Sequence, residues 1–200
     1  MDKRSAEHSE EALMESYVKG DQDAFRQLFR ALAPQVHGFF LRRFGSPAVA
    51  DDMLQTTFLK LHRARHEYRV GLPVRPWLFT IAARVRFDEL RRRGRHPETG
   101  DPVQMERATA GMVERSSGAD LLEREEIAQK VREALAELPE SQRLVVQLHR
   151  YEGFTFDQIA GILDTTEGAV KLRAFRAYER LRKQLMPVLG ENSAGGGAGG

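Results

Sequence analysis

Basic side chains are concentrated near the end of the chain, from Lys171 to Lys183. This stretch carries six lysines and arginines against one acid, Glu179, which gives a local net charge of +5. A cationic surface of this density attracts the phosphates of a nucleic acid backbone. A basic helix can also be an ordinary solvated surface, so the elements around the cluster decide between the two interpretations.

The residues around this cluster predict a helix-turn-helix. A short helix over 156–163 has the small residue Ala160 where a second helix can cross it closely. Asp164 and Thr165 break that helix, and Thr166 can cap the next one. The inward stripe of the second helix is Val170, Ala174, Ala177 and Leu181.

The opposite face of that second helix can enter a DNA major groove. The candidate DNA-contacting residues are Thr166, Glu167, Lys171, Leu172, Arg173, Phe175 and Arg176. By helical angle, Arg173 and Arg180 are better placed for phosphates or acidic neighbours than for base edges.

The composition excludes several classes of protein. The 200 residues include no cysteine, which rules out disulfides and thiolate zinc sites. No run of 18 apolar residues occurs, and the polar first residues lack the apolar segment of a secretory signal. We therefore expect a cytoplasmic protein without membrane insertion. The net charge of +2 conceals acidic and basic segments, so it does not argue against nucleic acid.

The charge pattern and the glycines and prolines divide the chain into two modules. Residues 96–124 are acidic and poor in large apolar side chains, which predicts a flexible linker. The modules are predicted over 10–95 and 125–187, and the glycine-rich residues 190–200 are predicted to be disordered. The predicted fold class is all-α, with two small helical domains.

The N-terminal module is predicted to be a small bundle of helices. A long helix should pass through Pro34 without ending, and the next should begin with Ser46 as its N-cap and Pro47 in its first turn. A further helix over 76–93 packs Trp77 inward. The same helix lines up Arg84, Arg91 and Arg92.

No catalytic or cofactor-binding pattern emerges. His62 and His66 are four residues apart, but their segment HRARH lacks the glutamate of a metalloprotease motif and no third ligand is evident. We expect a structural or exposed role for both. Nucleotide-binding and hydrolase motifs are also missing, so neither an enzyme nor a cofactor is expected.

Four segments, taken together and in order, resemble the extracytoplasmic-function class of RNA polymerase sigma factors. The segments are KGDQDAFRQLF, similar to the opening segment; AVADDMLQTTFLKLH, similar to the polymerase-docking helix; PWLFTIAARVRFDELRRR, similar to the helix that recognises the −10 promoter element; and residues 135–182, similar to the −35-binding domain. The resemblance implies recruitment of core RNA polymerase to promoter DNA, followed by melting.

The resemblance also implies roles for individual residues. Asp51, Asp52 and Gln55 match the surface presented to the coiled-coil clamp of the polymerase's largest subunit. Without the resemblance, acids near a helix start would simply suit the helix dipole. The loop over 67–75 matches the segment that captures a base flipped from the −10 strand. The residues implied to act at the −10 element are Tyr68, Arg69, Arg75, Arg84, Asp88, Arg91 and Arg92.

Some points stay open at this level. Tyr68 suits a stacking face and a plug in the bundle equally well. Asp164 stands where a glycine is usual, and aspartate tolerates the positive φ of such a turn. An autonomous dimeric helix-turn-helix regulator would explain the C-terminal half equally well, but not the docking helix or the arginine-rich helix. A helical adaptor that binds only proteins leaves the DNA-facing arginines unexplained. An anti-sigma factor that clamps both domains is a further implied partner.

Overall fold

The computed structural model describes residues 9–95 and 118–194, with side chains for 9–94 and 125–186. Every regular element within these ranges is helical, so the predicted all-α class is confirmed. The chain divides into two compact units. Among the described helices, none is long and apolar enough to cross a membrane.

In the N-terminal unit, within residues 9–95, the structure describes four α-helices and a 3₁₀ turn. They are α1 (Glu10–Val18), α2 (Gln22–Phe44), α3 (Pro47–Ala64), the 3₁₀ turn (Arg65–Glu67) and α4 (Val74–Arg95). Ser46 caps α3 as predicted, because its hydroxyl accepts a hydrogen bond from the Val49 amide at 3.4 Å and Pro47 opens the helix. Helix α2 continues through the exposed Pro34, also as predicted.

Aromatic side chains fill the core of this unit where α2 meets α4. The Phe39 ring lies edge-on to Phe79 at 5.4 Å between centroids, and both rings are fully buried. Arg86 of α4 is also fully buried, with its guanidinium carbon 5.2 Å from the Phe39 ring centroid. This packing holds α4 firmly, so the exposed arginines of α4 project from a fixed helix.

Within residues 118–194, the structure describes four helices. They are α5 (Gly118–Glu137), α6 (Glu140–Arg150), α7 (Phe156–Ile162) and α8 (Glu167–Ala194). Leu138, Val146 and Ala177 form a buried cluster, and the partly buried Leu135 and Leu181 pack against it. Burial of the inward stripe of α8 orients the opposite side of that helix toward solvent.

The predicted linker and tail fall largely outside the described residues. Residues 96–117 and 195–200 are not described, so flexibility there stays a prediction. Helix α5 already begins at Gly118, within the range assigned to the linker, and α8 continues to Ala194, within the range assigned to the tail. The bounds assigned to the linker and to the tail stay predictions as well.

Candidate nucleic-acid interface

The turn between α7 and α8 has the geometry that the sequence predicted. Asp164 adopts φ 49°, a left-handed conformation in which its short polar side chain is tolerated. The Thr165 amide donates to the Ala160 carbonyl at 3.0 Å, which closes the turn. Thr166 then caps α8, because its hydroxyl accepts a hydrogen bond from the Ala169 amide at 3.2 Å.

The outward face of α8 carries most of the predicted DNA-contacting side chains. Glu167, Lys171, Leu172, Phe175 and Arg176 are exposed, while Arg173 is half-buried at the edge of the face. The Lys171 ammonium lies 2.9 Å from the Glu167 carboxylate, one helical turn away. The other cations of this face are therefore more readily available to a phosphate than Lys171 is.

A second cluster of charge lies on the last turns of α4. Arg91 and Lys60 both donate to the Asp88 carboxylate, Lys60 at 3.1 Å across from α3. The hydrogen bond from Arg91, followed by that from Lys60 and the charges of both, lowers the pKa of the Asp88 carboxyl despite its partial burial. Asp88, which we predicted at the −10 surface, thus orients one arginine and connects two helices.

Glu89 binds Arg92 and Arg93. Arg92 donates to both oxygens of its carboxylate at 2.7 Å, and Arg93 Nε donates at 2.7 Å. These hydrogen bonds, that of Arg92 foremost, lower the pKa of the Glu89 carboxyl, whose side chain is only 11% exposed. The arginine run ends α4 as an ordered surface rather than as a set of free side chains.

The remaining predicted −10 arginines differ in their surroundings. Arg84 and Arg69 are exposed, on α4 and on the loop before it. Arg75 is half-buried, and its Nε donates to the Gln35 side-chain oxygen at 3.1 Å. Binding a ligand through Arg75 would first require breaking its hydrogen bond to Gln35.

The structure buries Tyr68. The residue is 6% exposed, its ring centroid lies 5.3 Å from that of Trp77, and its hydroxyl donates to the Leu72 carbonyl. Burial also raises the pKa of the Tyr68 phenol. In this conformation the side chain plugs the bundle and closes the loop, which favours that role over an open stacking face. Trp77 is half-buried beside it.

The predicted docking residues share the exposed side of α3. Asp51, Asp52 and Gln55 are all exposed, and the Asp51 carboxylate lies 3.3 Å from His37 Nε2 on α2. Asp52 also lines a cavity of about 220 Å³ between α3 and α4, together with Lys60, Asp88, Glu89 and Arg92. One of the predicted docking acids, Asp52, therefore lies beside the arginine-rich end of α4 in this groove.

Several residues of these surfaces were not predicted from the sequence. Glu89 could have been found, since it precedes Arg92 and Arg93 by three and four positions, the spacing of ion pairs on a helix. Lys60 and His37 could not, because their partners Asp88 and Asp51 come from other helices.

The described residues hold no group of three side chains suited to a metal ion. His62 instead shares a hydrogen bond of 2.5 Å between its Nδ1 and the Tyr17 hydroxyl, and His66 is exposed. The structural or exposed role expected for each histidine stays a prediction.

Two family models match the chain. Residues 28–96 match "Sigma-70 region 2" and residues 128–181 match "Sigma-70, region 4". Among curated proteins, the RNA polymerase sigma factor CarQ of Myxococcus xanthus is 37% identical over 172 residues, which is 86% of this chain and 95% of CarQ. The ECF RNA polymerase sigma-E factor of Escherichia coli K12 is 30% identical over 189 residues, 92% of this chain and 98% of that protein.

Solved structures share the fold. The sigma factor RpoE, crystallised with the anti-sigma factor NepR from Bartonella quintana, is 27% identical with a TM-score of 0.62, over 81% of this chain and 96% of RpoE. CnrH, solved with the cytosolic domain of CnrY, is 24% identical with a TM-score of 0.65, over 89% of this chain and 97% of CnrH. The second similarity supports the fold only.

Proposed function

The chain belongs to the extracytoplasmic-function class of RNA polymerase sigma factors, which direct the polymerase to promoters for transcription initiation, and we propose that three exposed surfaces divide this work. The family is non-catalytic. The observation that carries the proposal is that most of the predicted residues are exposed on helices of two units, one matching sigma-70 region 2 and the other region 4. We also propose that the protein acts in the cytoplasm, where core polymerase is found.

The first surface, Asp51, Asp52 and Gln55 on α3, binds the coiled-coil clamp of the polymerase's largest subunit. Two adjacent exposed acids suit a basic partner, because complementary charge accelerates association and fixes register. The side chains do not contribute to the core of the bundle. They can therefore face a partner without loss of internal packing.

The second surface, at the −10 element, combines α4 with the loop before it. Arg69, Arg84 and Arg91 are exposed cations that can hold a displaced single strand by its phosphates. Unpairing costs a few kcal/mol per extruded base, so these contacts have to offset that cost. Asp88 and Glu89 orient the last arginines, and Tyr68 supports the loop from inside the bundle.

The third surface is the outward face of α8, which enters the major groove at the −35 element. Arg176 is exposed on this face and has the side chain that most often reads guanine, by two hydrogen bonds to its O6 and N7. The neighbouring Arg173 lies at the edge, where phosphates run. Base contacts and backbone contacts are thus separated around the helix.

An anti-sigma factor is the proposed negative regulator. The sigma factor RpoE of Bartonella quintana was crystallised with such a partner, and this chain is 27% identical to it. The exposed acids of α3 and the apolar side chains of α8 are surfaces that such a partner would cover. Occupying either surface would prevent docking or promoter binding.

The test is transcription with purified core polymerase on a library of promoters. Transcripts should depend on added protein, and Arg176→Ala should change the preferred base at one −35 position while leaving core binding intact. Arg150→Ala, an exposed arginine outside α8, is the matched control and should leave the preference unchanged. No initiation by the wild-type protein on any promoter would contradict the proposal.

A further inference from the structure

Two large apolar side chains project from the middle of the outward face of α8. Leu172 is 48% exposed and Phe175 is 63% exposed, and they lie one turn apart on the same side of the helix. The core contacts of this part of α8 are made instead by Val170, Ala174 and Ala177, which are all buried. Leu172 and Phe175 are therefore not needed to complete the core, and they form an apolar ridge on the face assigned to DNA.

The charge around this apolar ridge identifies its partner. Lys171, Arg173 and Arg176 flank it, and residues 168–178 contain no acid. Glu167, the acid just before this stretch, is paired with Lys171 at 2.9 Å. A matching partner must be apolar in the centre and negative at the rim. The major groove of DNA has this pattern where thymine is present, because the C5-methyl group of thymine is the apolar group on its base edges and phosphates border the groove.

We propose that Leu172 and Phe175 read thymine methyl groups in the −35 element. Neither side chain can donate or accept a hydrogen bond, so neither can distinguish bases by polar contacts. Their positions differ by about 4.5 Å along the helix axis. Base pairs are spaced by about 3.4 Å, so the two side chains meet methyl groups one or two base steps apart. The inference rests on the proposed function of α8.

The test removes only the methyl group. The −35 sequence preferred by the holoenzyme is first selected from a randomised duplex library, and each thymidine in it is then replaced by deoxyuridine. Burying one methyl group changes affinity about fourfold, so wild-type holoenzyme should bind about fourfold more weakly when a contacted thymidine is replaced. Other thymidines in the element should be insensitive to the replacement.

Variants assign each contact to a side chain. Leu172→Ala should abolish sensitivity to deoxyuridine at one position, and Phe175→Ala should abolish it at the other. Met186→Ala is the matched control, because Met186 is 61% exposed on the same helix but lies about 21 Å from Leu172 along the axis. This control should keep the sensitivity of the wild type at both positions.

The outcomes separate this inference from the proposed function. If the holoenzyme initiates normally but no thymidine in the −35 element is sensitive to deoxyuridine, methyl reading is wrong and the sigma-factor function stands. The same conclusion follows if Leu172→Ala and Phe175→Ala weaken binding equally with thymidine and with deoxyuridine, which would assign the ridge to another partner or to folding. If no promoter-directed initiation occurs, the proposed function itself fails.

Discussion

Replacing Asp51 and Asp52 together with alanine should weaken the binding of this protein to core RNA polymerase. Both side chains are exposed on α3, and the Asp51 side chain is 69% exposed. Neither lies in the core, so the double variant should fold as the wild type does. The effect on affinity therefore reports the docking surface and not the stability of the bundle.

The magnitude follows from the exposure of the two acids. An exposed ion pair contributes about 0.2–1 kcal/mol, so two pairs contribute about 0.4–2 kcal/mol, a loss of about two- to thirtyfold in Kd. Asp51 should account for the smaller share, because its carboxylate already lies 3.3 Å from His37 Nε2. Most of the loss should be in the association rate and should shrink as salt is added.

The assay is competition between unlabelled variants and labelled wild-type protein for core polymerase, followed by fluorescence anisotropy at low and at high salt. Glu125→Ala/Glu126→Ala is the control, since it removes two adjacent exposed acids from α5. An Asp51→Ala/Asp52→Ala variant that competes as well as the wild type at low salt would refute the reasoning. Equal losses in the two variants would refute it as well, because they would reflect net charge alone.

Three further predictions concern the elements that position the DNA-facing residues. Because arginine hydrogen bonds lower the pKa of the Glu89 carboxyl, Glu89→Gln should lower the free energy of unfolding by about 1–2 kcal/mol at neutral pH. Urea titrations should show that this difference vanishes as the pH falls through the lowered pKa. A difference that does not depend on pH would contradict the prediction. Thr166→Ala should lower the free energy of unfolding by about 1 kcal/mol through loss of the cap of α8, whereas Thr166→Ser should lower it little. Urea unfolding followed by circular dichroism measures both values, and equal losses would count against the cap. Asp164→Gly should raise the free energy of unfolding by up to about 1 kcal/mol, since glycine adopts φ 49° without strain, and Asp164→Ala should lower it. An alanine variant that melts at a higher temperature than the glycine variant would contradict this.

The local features of the fold were predictable from the sequence. The caps at Ser46 and Thr166 depend on side chains within three residues of the amides they bind, so their residue types sufficed. The apolar stripe of α8 was likewise visible, because its spacing directly reports the helical period. The positive φ of Asp164 followed from its place in the turn.

Features that depend on contacts between helices were not predictable in the same way. Arg86 appears in the sequence as one more arginine of a basic helix, yet it is fully buried over Phe39. The sequence allowed Tyr68 to be either a stacking face or a plug in the bundle, and its contacts with Trp77 and the Leu72 carbonyl favour the plug. The candidate site was predictable in its residue types, whereas the ion pairs between helices, Lys60 with Asp88 and His37 with Asp51, became clear only from the fold.

Footprinting on a selected promoter tests most directly whether this chain recognises promoters as part of RNA polymerase. Core polymerase together with the protein should protect both the −35 and the −10 segments and make the −10 strand reactive to single-strand probes, while the protein alone should give no specific protection. Specific protection of a duplex by the protein alone, with no opening at −10 when core polymerase is added, would contradict the account and point to an autonomous regulator.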